Sequence, residues 1–118
     1  MPTTSELLAA NLYGVFGERD ARRRQATAAA TYTDDVVFTD PEETVVGAEA
    51  VLAKATALLD GAPGFVFDAD GPVYVAGDRG AVAWRFGPPD APPVARGIDV
   101  VTVRDGRISA VLTLHTGG

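Results

Sequence analysis

The chain has 118 residues, a net charge of −6, and hydrophobic and charged fractions of 47% and 22%, the balance of an ordinary globular protein rather than a disordered tail or a membrane span. That length suits one hydrophobic core, so residues 1–118 are read as a single domain. The acidic balance argues against a nucleic-acid partner, which would need clustered Lys and Arg, and the absence of cysteine removes disulfides, thiol nucleophiles and thiolate metal sites.

Thr3 and Glu6 form a capping-box pattern, and Leu7, Leu8, Leu12, Val15 and Phe16 then recur at helical intervals up to Gly17. The segment before them lacks the basic and apolar regions of a signal peptide, so the expected compartment is the cytoplasm. A second helix is expected from Glu18 to about Tyr32, with Ala26, Ala29 and Ala30 as a narrow packing face. Its basic run, Arg22-Arg23-Arg24, follows Glu18 and Asp20 and reads as a solvated face with local ion pairing. Val36 to Thr39 is β-branched and aromatic and reads as a short strand ended by Asp40-Pro41. A third helix is expected over Gly47 to Leu59, where Val51, Leu52, Ala55, Leu58 and Leu59 carry the stripe.

Beyond Gly64 the pattern is strand and turn: 65–68, 73–76, 81–86, 94–103 and 107–115. Gly77-Asp78-Arg79-Gly80 and Arg104-Asp105-Gly106 are hairpin turns, while the proline-rich stretch from Gly87 to Pro93 makes a stiff loop. The class is therefore α+β: three N-terminal helices packed on a strongly curved antiparallel sheet, a cystatin-like cone around a cavity. Strand alternation places Val82, Trp84 and Phe86 inside. Val111, Thr113 and His115 form one face of the last strand and Leu112 and Leu114 the other, and both faces are candidates for burial.

The runs Tyr32-Thr33-Asp34-Asp35-Val36-Val37-Phe38-Thr39-Asp40-Pro41, Gly47-Ala48-Glu49-Ala50-Val51, Gly97-Ile98-Asp99-Val100 and Asp105-Gly106-Arg107-Ile108 resemble SnoaL-like proteins. These belong to the nuclear transport factor 2-like superfamily, with ketosteroid isomerase, polyketide cyclases, limonene epoxide hydrolase and scytalone dehydratase. The resemblance covers nearly the whole chain and implies a cone-shaped domain, commonly a homodimer, whose acid–base chemistry runs on side chains and water without a cofactor. It also implies that Asp40, an aspartate before proline, is a general base beside a substrate carbonyl.

In the same comparison the isomerase's neutral aspartic acid, three residues before Asp99, falls on Arg96, a permanent cation suited to binding an oxyanion or carboxylate. The isomerase's helical tyrosine has Tyr13 as its nearest counterpart, and its closing tryptophan becomes His115. Asp99 is a second candidate acid. Each candidate has a structural reading beside it: Asp40 as a strand-ending cap, Asp99 as a structural aspartate, Arg96 on the solvent face, His115 at a frayed end. Tyr32, Phe38, Val82, Trp84, Phe86, Val94, Val111 and Thr113 are the expected ligand-contacting wall. One His with scattered carboxylates offers no metal site. The functions in contention are an isomerase- or cyclase-type enzyme acting on a small apolar carbonyl or cyclic compound, a non-catalytic ligand-binding module, and a dimeric accessory domain.

Overall fold

The structure is a computed structural model that describes residues 1–116. The capping box forms: Thr3 Oγ1 accepts from the Glu6 amide and Glu6 Oε1 accepts from the Thr3 amide. Helix α1 (Thr4–Ala9) then widens into a π-helical segment, Ala10–Phe16. The buried residues Leu7, Leu8, Asn11, Leu12, Val15 and Phe16 recur every fourth residue. A stride of four overruns the 3.6-residue α-turn by about 40°, and the wider π turn that follows drifts the rows back the other way.

Helix α2 (Ala21–Thr31) starts on Asp20, whose side chain accepts from the Arg23 amide. It buries Arg24, Ala28 and Thr31 rather than Ala26, Ala29 and Ala30. The basic run is thus not wholly a solvated face. Arg24 turns inward and donates to the Glu18 carbonyl at 2.6 Å and to Thr56 Oγ1 at 3.0 Å, tying α2 to α3 (Ala48–Asp60).

The seven strands are β1 (Tyr32–Thr39), β2 (Thr44–Val46), β3 (Val66–Ala69), β4 (Tyr74–Ala76), β5 (Arg79–Gly87), β6 (Ala95–Arg104) and β7 (Arg107–His115). They run in the order β2-β1-β7-β6-β5-β3, with β4 also on β5. The sheet is mixed, which corrects the antiparallel expectation: β1 lies parallel to β7, and all the other pairs are antiparallel. The long connection between β1 and β7, through the rest of the domain, allows this pairing, which no hairpin could make. The sheet is open, so its helices rather than strand closure cover the inner face.

Strand register decides what that face presents. Val82, Asp99 and Thr113 lie side by side across β5, β6 and β7, and Trp84, Gly97 and His115 form the next row. Val82, Trp84 and Phe86 are buried as alternation predicts, and Val111, Thr113 and His115 share the inner face, leaving Leu112 and Leu114 outside. Among the described residues, no helix is long and apolar enough to cross a membrane.

Candidate functional site

A cavity of about 400 Å³ opens between the inner face of the sheet, the π-helical segment and α3. Phe16, Phe38, Phe67, Trp84 and Leu12 give it an apolar wall, and Asp40, Lys54, Asp99, Thr113 and His115 supply polar groups. This size suits a small organic molecule.

Asp99 is 6% exposed, and both of its carboxyl oxygens are hydrogen-bonded. Its Oδ1 accepts from Trp84 Nε1 at 2.9 Å and from Thr113 Oγ1 at 2.8 Å, and its Oδ2 accepts from Asn11 Nδ2 at 3.1 Å. Thr113 reaches it directly across β6 and β7, whereas Trp84 reaches it diagonally over Gly97. A β-carbon at Gly97 would collide with the Trp84 ring, so glycine here is what lets the indole lie flat against β6. Burial pushes the Asp99 carboxyl up from 3.8 to about 6, even though its three donors and the nearby His115 favour the charged form. The result is an acid that changes protonation near neutral pH inside a mostly apolar chamber.

Asp40 lines the same cavity but in a different state. Its Oδ2 lies 2.8 Å from Lys54 Nζ, and its Oδ1 accepts from the amides of Glu42 and Glu43 at 2.9 and 3.0 Å. Burial would raise this carboxyl, but Lys54 and the two amides outweigh it and hold Asp40 below the ordinary carboxylate value. Desolvation therefore does not lift Asp40 towards the range of a general base. Lys54 also binds Glu43 at 2.8 Å, and both acids keep the ammonium protonated against its own desolvation.

His115 stands at the end of β7, with its ring edge-on to Trp84 at 5.8 Å and 83°. Phe38, Trp84, Thr113, Asp40, Asp99 and His115 thus meet in one chamber. The other sequence candidates lie elsewhere. Tyr13 donates its hydroxyl to Asp68 Oδ1 at 2.8 Å and does not line the cavity. Arg96 is exposed, faces Arg85 across the sheet, and borders a separate groove by the proline-rich loop. Three residues along a strand is an odd step, so Arg96 and Asp99 point to opposite faces; the acid that β6 presents to the cavity is Asp99 itself. Val94 is 64% exposed, and Tyr32, Val82, Phe86 and Val111 are buried in the core behind the chamber.

A family profile for the SnoaL-like domain matches residues 9–111. The chain belongs to the SnoaL-like family. A proposed isomerase of that family from Agrobacterium tumefaciens superposes on it with a TM-score of 0.87 at 27% identity, over 94% of this chain and 95% of that one. A proposed SnoaL-like polyketide cyclase from a Jannaschia species gives 0.74 at 19% identity, covering 92% and 81%. A proposed ketosteroid isomerase from Kribbella flavida gives 0.66 at 20% identity, covering 94% and 77%. The last two share the fold alone. No curated protein matches the chain.

Two site residues of this SnoaL-like domain escape motif reading. Lys54 sits on the cavity side of α3 as an isolated cation in an otherwise apolar stretch. Asn11 is fully buried and lies midway between Leu7 and Val15 in a row with a stride of four. A polar residue in a buried row is the signal that would have found it.

Proposed function

We propose that this SnoaL-like domain is a cofactor-independent acid–base enzyme acting on a small, uncharged carbonyl or cyclic compound, with Asp99 as the group that carries the proton. The observation that supports this reading most is a buried carboxyl, held by Trp84, Thr113 and Asn11, that titrates near pH 6 in a cavity with aromatic walls. In its charged form Asp99 takes a proton from the carbon beside the carbonyl. The C–H electron pair forms the enolate double bond, the carbonyl electrons move to oxygen, and the His115 imidazole N–H donates to that oxygen. Protonated Asp99 then returns the proton to another carbon of the conjugated enolate, which completes an isomerisation; in a ring closure the enolate carbon instead bonds to a second carbonyl carbon of the substrate, and protonated Asp99 gives its proton to the alkoxide oxygen so formed, with no atom lost in either case.

Asp40 has a different part in this scheme: paired with Lys54, it fixes the cavity rim. Asp40, Glu42, Glu43 and Asp99 line the chamber against the single ammonium of Lys54, an imbalance that disfavours anionic substrates. The working unit is a homodimer. Val37, Ile98, Val100, Leu112 and Leu114 form a continuous apolar patch on the outer face of the sheet, with Leu112 and Leu114 41% and 45% exposed. Such a face is where an antiparallel sheet normally carries polar residues, and a second copy of the chain would cover it.

The test is proton exchange in heavy water, followed by NMR, on a panel of small cyclic ketones that includes carboxylated analogues. Neutral members are expected to take up deuterium beside the carbonyl, with a rate that rises through about pH 6 and with the carboxylated members slower. If no member exchanges above the buffer rate, and the protein instead copurifies with an apolar molecule, the carrier reading replaces this one.

A further inference from the structure

Behind Asp99 lies a hydrogen-bonded chain that the proposed reaction does not itself use. The Tyr32 hydroxyl meets Asn11 Oδ1 at 2.5 Å, and Asn11 Nδ2 meets Asp99 Oδ2 at 3.1 Å. Tyr32 is 1% exposed and Asn11 0%, so no water competes for these bonds. Burial and the neighbouring Asp99 push the phenol well above its usual value, and it remains a donor throughout the physiological range.

This arrangement admits one orientation of the amide when Asp99 is charged. The Tyr32 O–H donates to the Asn11 carbonyl while the charged carboxylate, which can only accept, takes the Asn11 NH₂, so the two ends fix the amide together. If the amide flipped, its carbonyl would confront Asp99 Oδ2, and the two acceptors would repel unless Asp99 held a proton. Oδ1 already accepts two bonds, from Trp84 and Thr113, whereas Oδ2 accepts only the one from Asn11. The open lone pair, and so the site where a proton lands, is on the oxygen that Asn11 touches.

We propose that Asn11 and Tyr32 are positioning residues for Asp99: Tyr32 locks the Asn11 amide with its NH₂ towards the carboxylate, and this lock holds Asp99 ready as a proton acceptor. The proposal rests on the reading of Asp99 as the proton carrier, and it assigns to the π-helical segment the task of presenting Asn11. Other groups bear on the same carboxyl. His115 faces it from β7, and the Asp40–Lys54 pair of β1 and α3 lines the same chamber. None of these touches the Tyr32–Asn11 chain, so its effect is separable from theirs.

The experiment follows the Asp99 side-chain carboxyl by ¹³C NMR as a function of pH in protein labelled at aspartate, with the signal assigned by its loss in Asp99→Asn. Asn11→Leu removes a donor to a charged group, which corresponds to about a tenfold gain in proton affinity and an upward move of the midpoint by about one pH unit. Tyr32→Phe removes one oxygen and releases the amide, moving the midpoint in the same direction by less. Because Tyr32 acts through Asn11, adding Tyr32→Phe to Asn11→Leu moves it no further.

A midpoint unmoved in Tyr32→Phe, or an additive double variant, overturns the proposal. Tyr32→Phe alone keeps the test decisive if Asn11→Leu does not fold, and circular dichroism reports which case applies. The outcome is distinct from that of the functional reading: a titration that moves as expected beside an Asp99→Asn variant with undiminished proton exchange would sustain the positioning chain and refute the catalytic role.

Discussion

Replacing Asp99 by asparagine gives the protein a measurably different dependence of stability on pH. The carboxyl binds its proton more tightly in the folded chain than in the unfolded one, at about 6 against 3.8. At about 1.4 kcal/mol per pH unit, the difference corresponds to about 3 kcal/mol. The sign follows from the raised value. The contribution of Asp99 is fully present below 3.8, falls as pH rises through about 6, and is absent above, where folding must bury the charge.

Asparagine does not titrate, so subtracting the two stability curves cancels every group common to both proteins. Urea unfolding followed by far-ultraviolet circular dichroism should show wild type losing about 3 kcal/mol relative to Asp99→Asn between about pH 2.5 and about pH 7.5. The same series in a His115→Gln background removes the one nearby imidazole from the comparison. A difference curve that is flat across this range would mean that Asp99 titrates like an ordinary carboxylate, and the reasoning built on its burial would fail.

Three further outcomes follow from the geometry. Lys54→Met leaves Asp40 and Glu43 without their shared cation and should destabilise the protein by about 2 kcal/mol at pH 7; because Asp40 is held below its ordinary value, the deficit should close as pH falls below that range, which urea titrations at the two ends would reveal. Gly97→Ala should cost about 2–4 kcal/mol and shift the emission of Trp84, the only tryptophan in the chain, because the new methyl group displaces the ring that donates to Asp99. Leu112→Glu with Leu114→Glu should leave a folded monomer where the wild type forms the proposed dimer, read by light scattering coupled to gel filtration; a monomeric wild type would refute the dimer, and an unchanged dimeric mass in the variant would place the interface elsewhere.

Much of the fold was legible because it depends on local pattern. The capping box, the stripe of α3, the alternation on β5 and the turns at Gly77 and Gly106 each follow from near neighbours in the chain. The parallel pairing of β1 with β7 was not, since it joins residues such as Phe38 and Val111 and no turn chemistry marks it. Within the site, Asp40 stood out through its Asp-Pro setting, yet its ion pair with Lys54 depends on α3 folding back across the end of β1. Asp99 was nameable as an acid on a strand, but its weight comes from donors on three other elements, Asn11, Trp84 and Thr113. Arg96 was named through the resemblance to the isomerase; strand parity puts it, three residues from Asp99, on the opposite and exposed face, which was the other reading open for it. Tyr13 was named as the nearest counterpart of the isomerase's helical tyrosine, and its hydroxyl is instead taken up by Asp68 away from the cavity lining.

The assignment of the proton to Asp99 rather than Asp40 is the centre of the functional account, and a paired comparison tests it most directly. Proton exchange into the best neutral ketone would be measured for Asp99→Asn and Asp40→Asn side by side, with folding of both verified. The rate should fall by about a hundredfold or more in Asp99→Asn and by much less in Asp40→Asn, where only the rim is loosened. Loss of exchange in Asp40→Asn with Asp99→Asn near the wild-type rate would contradict the assignment.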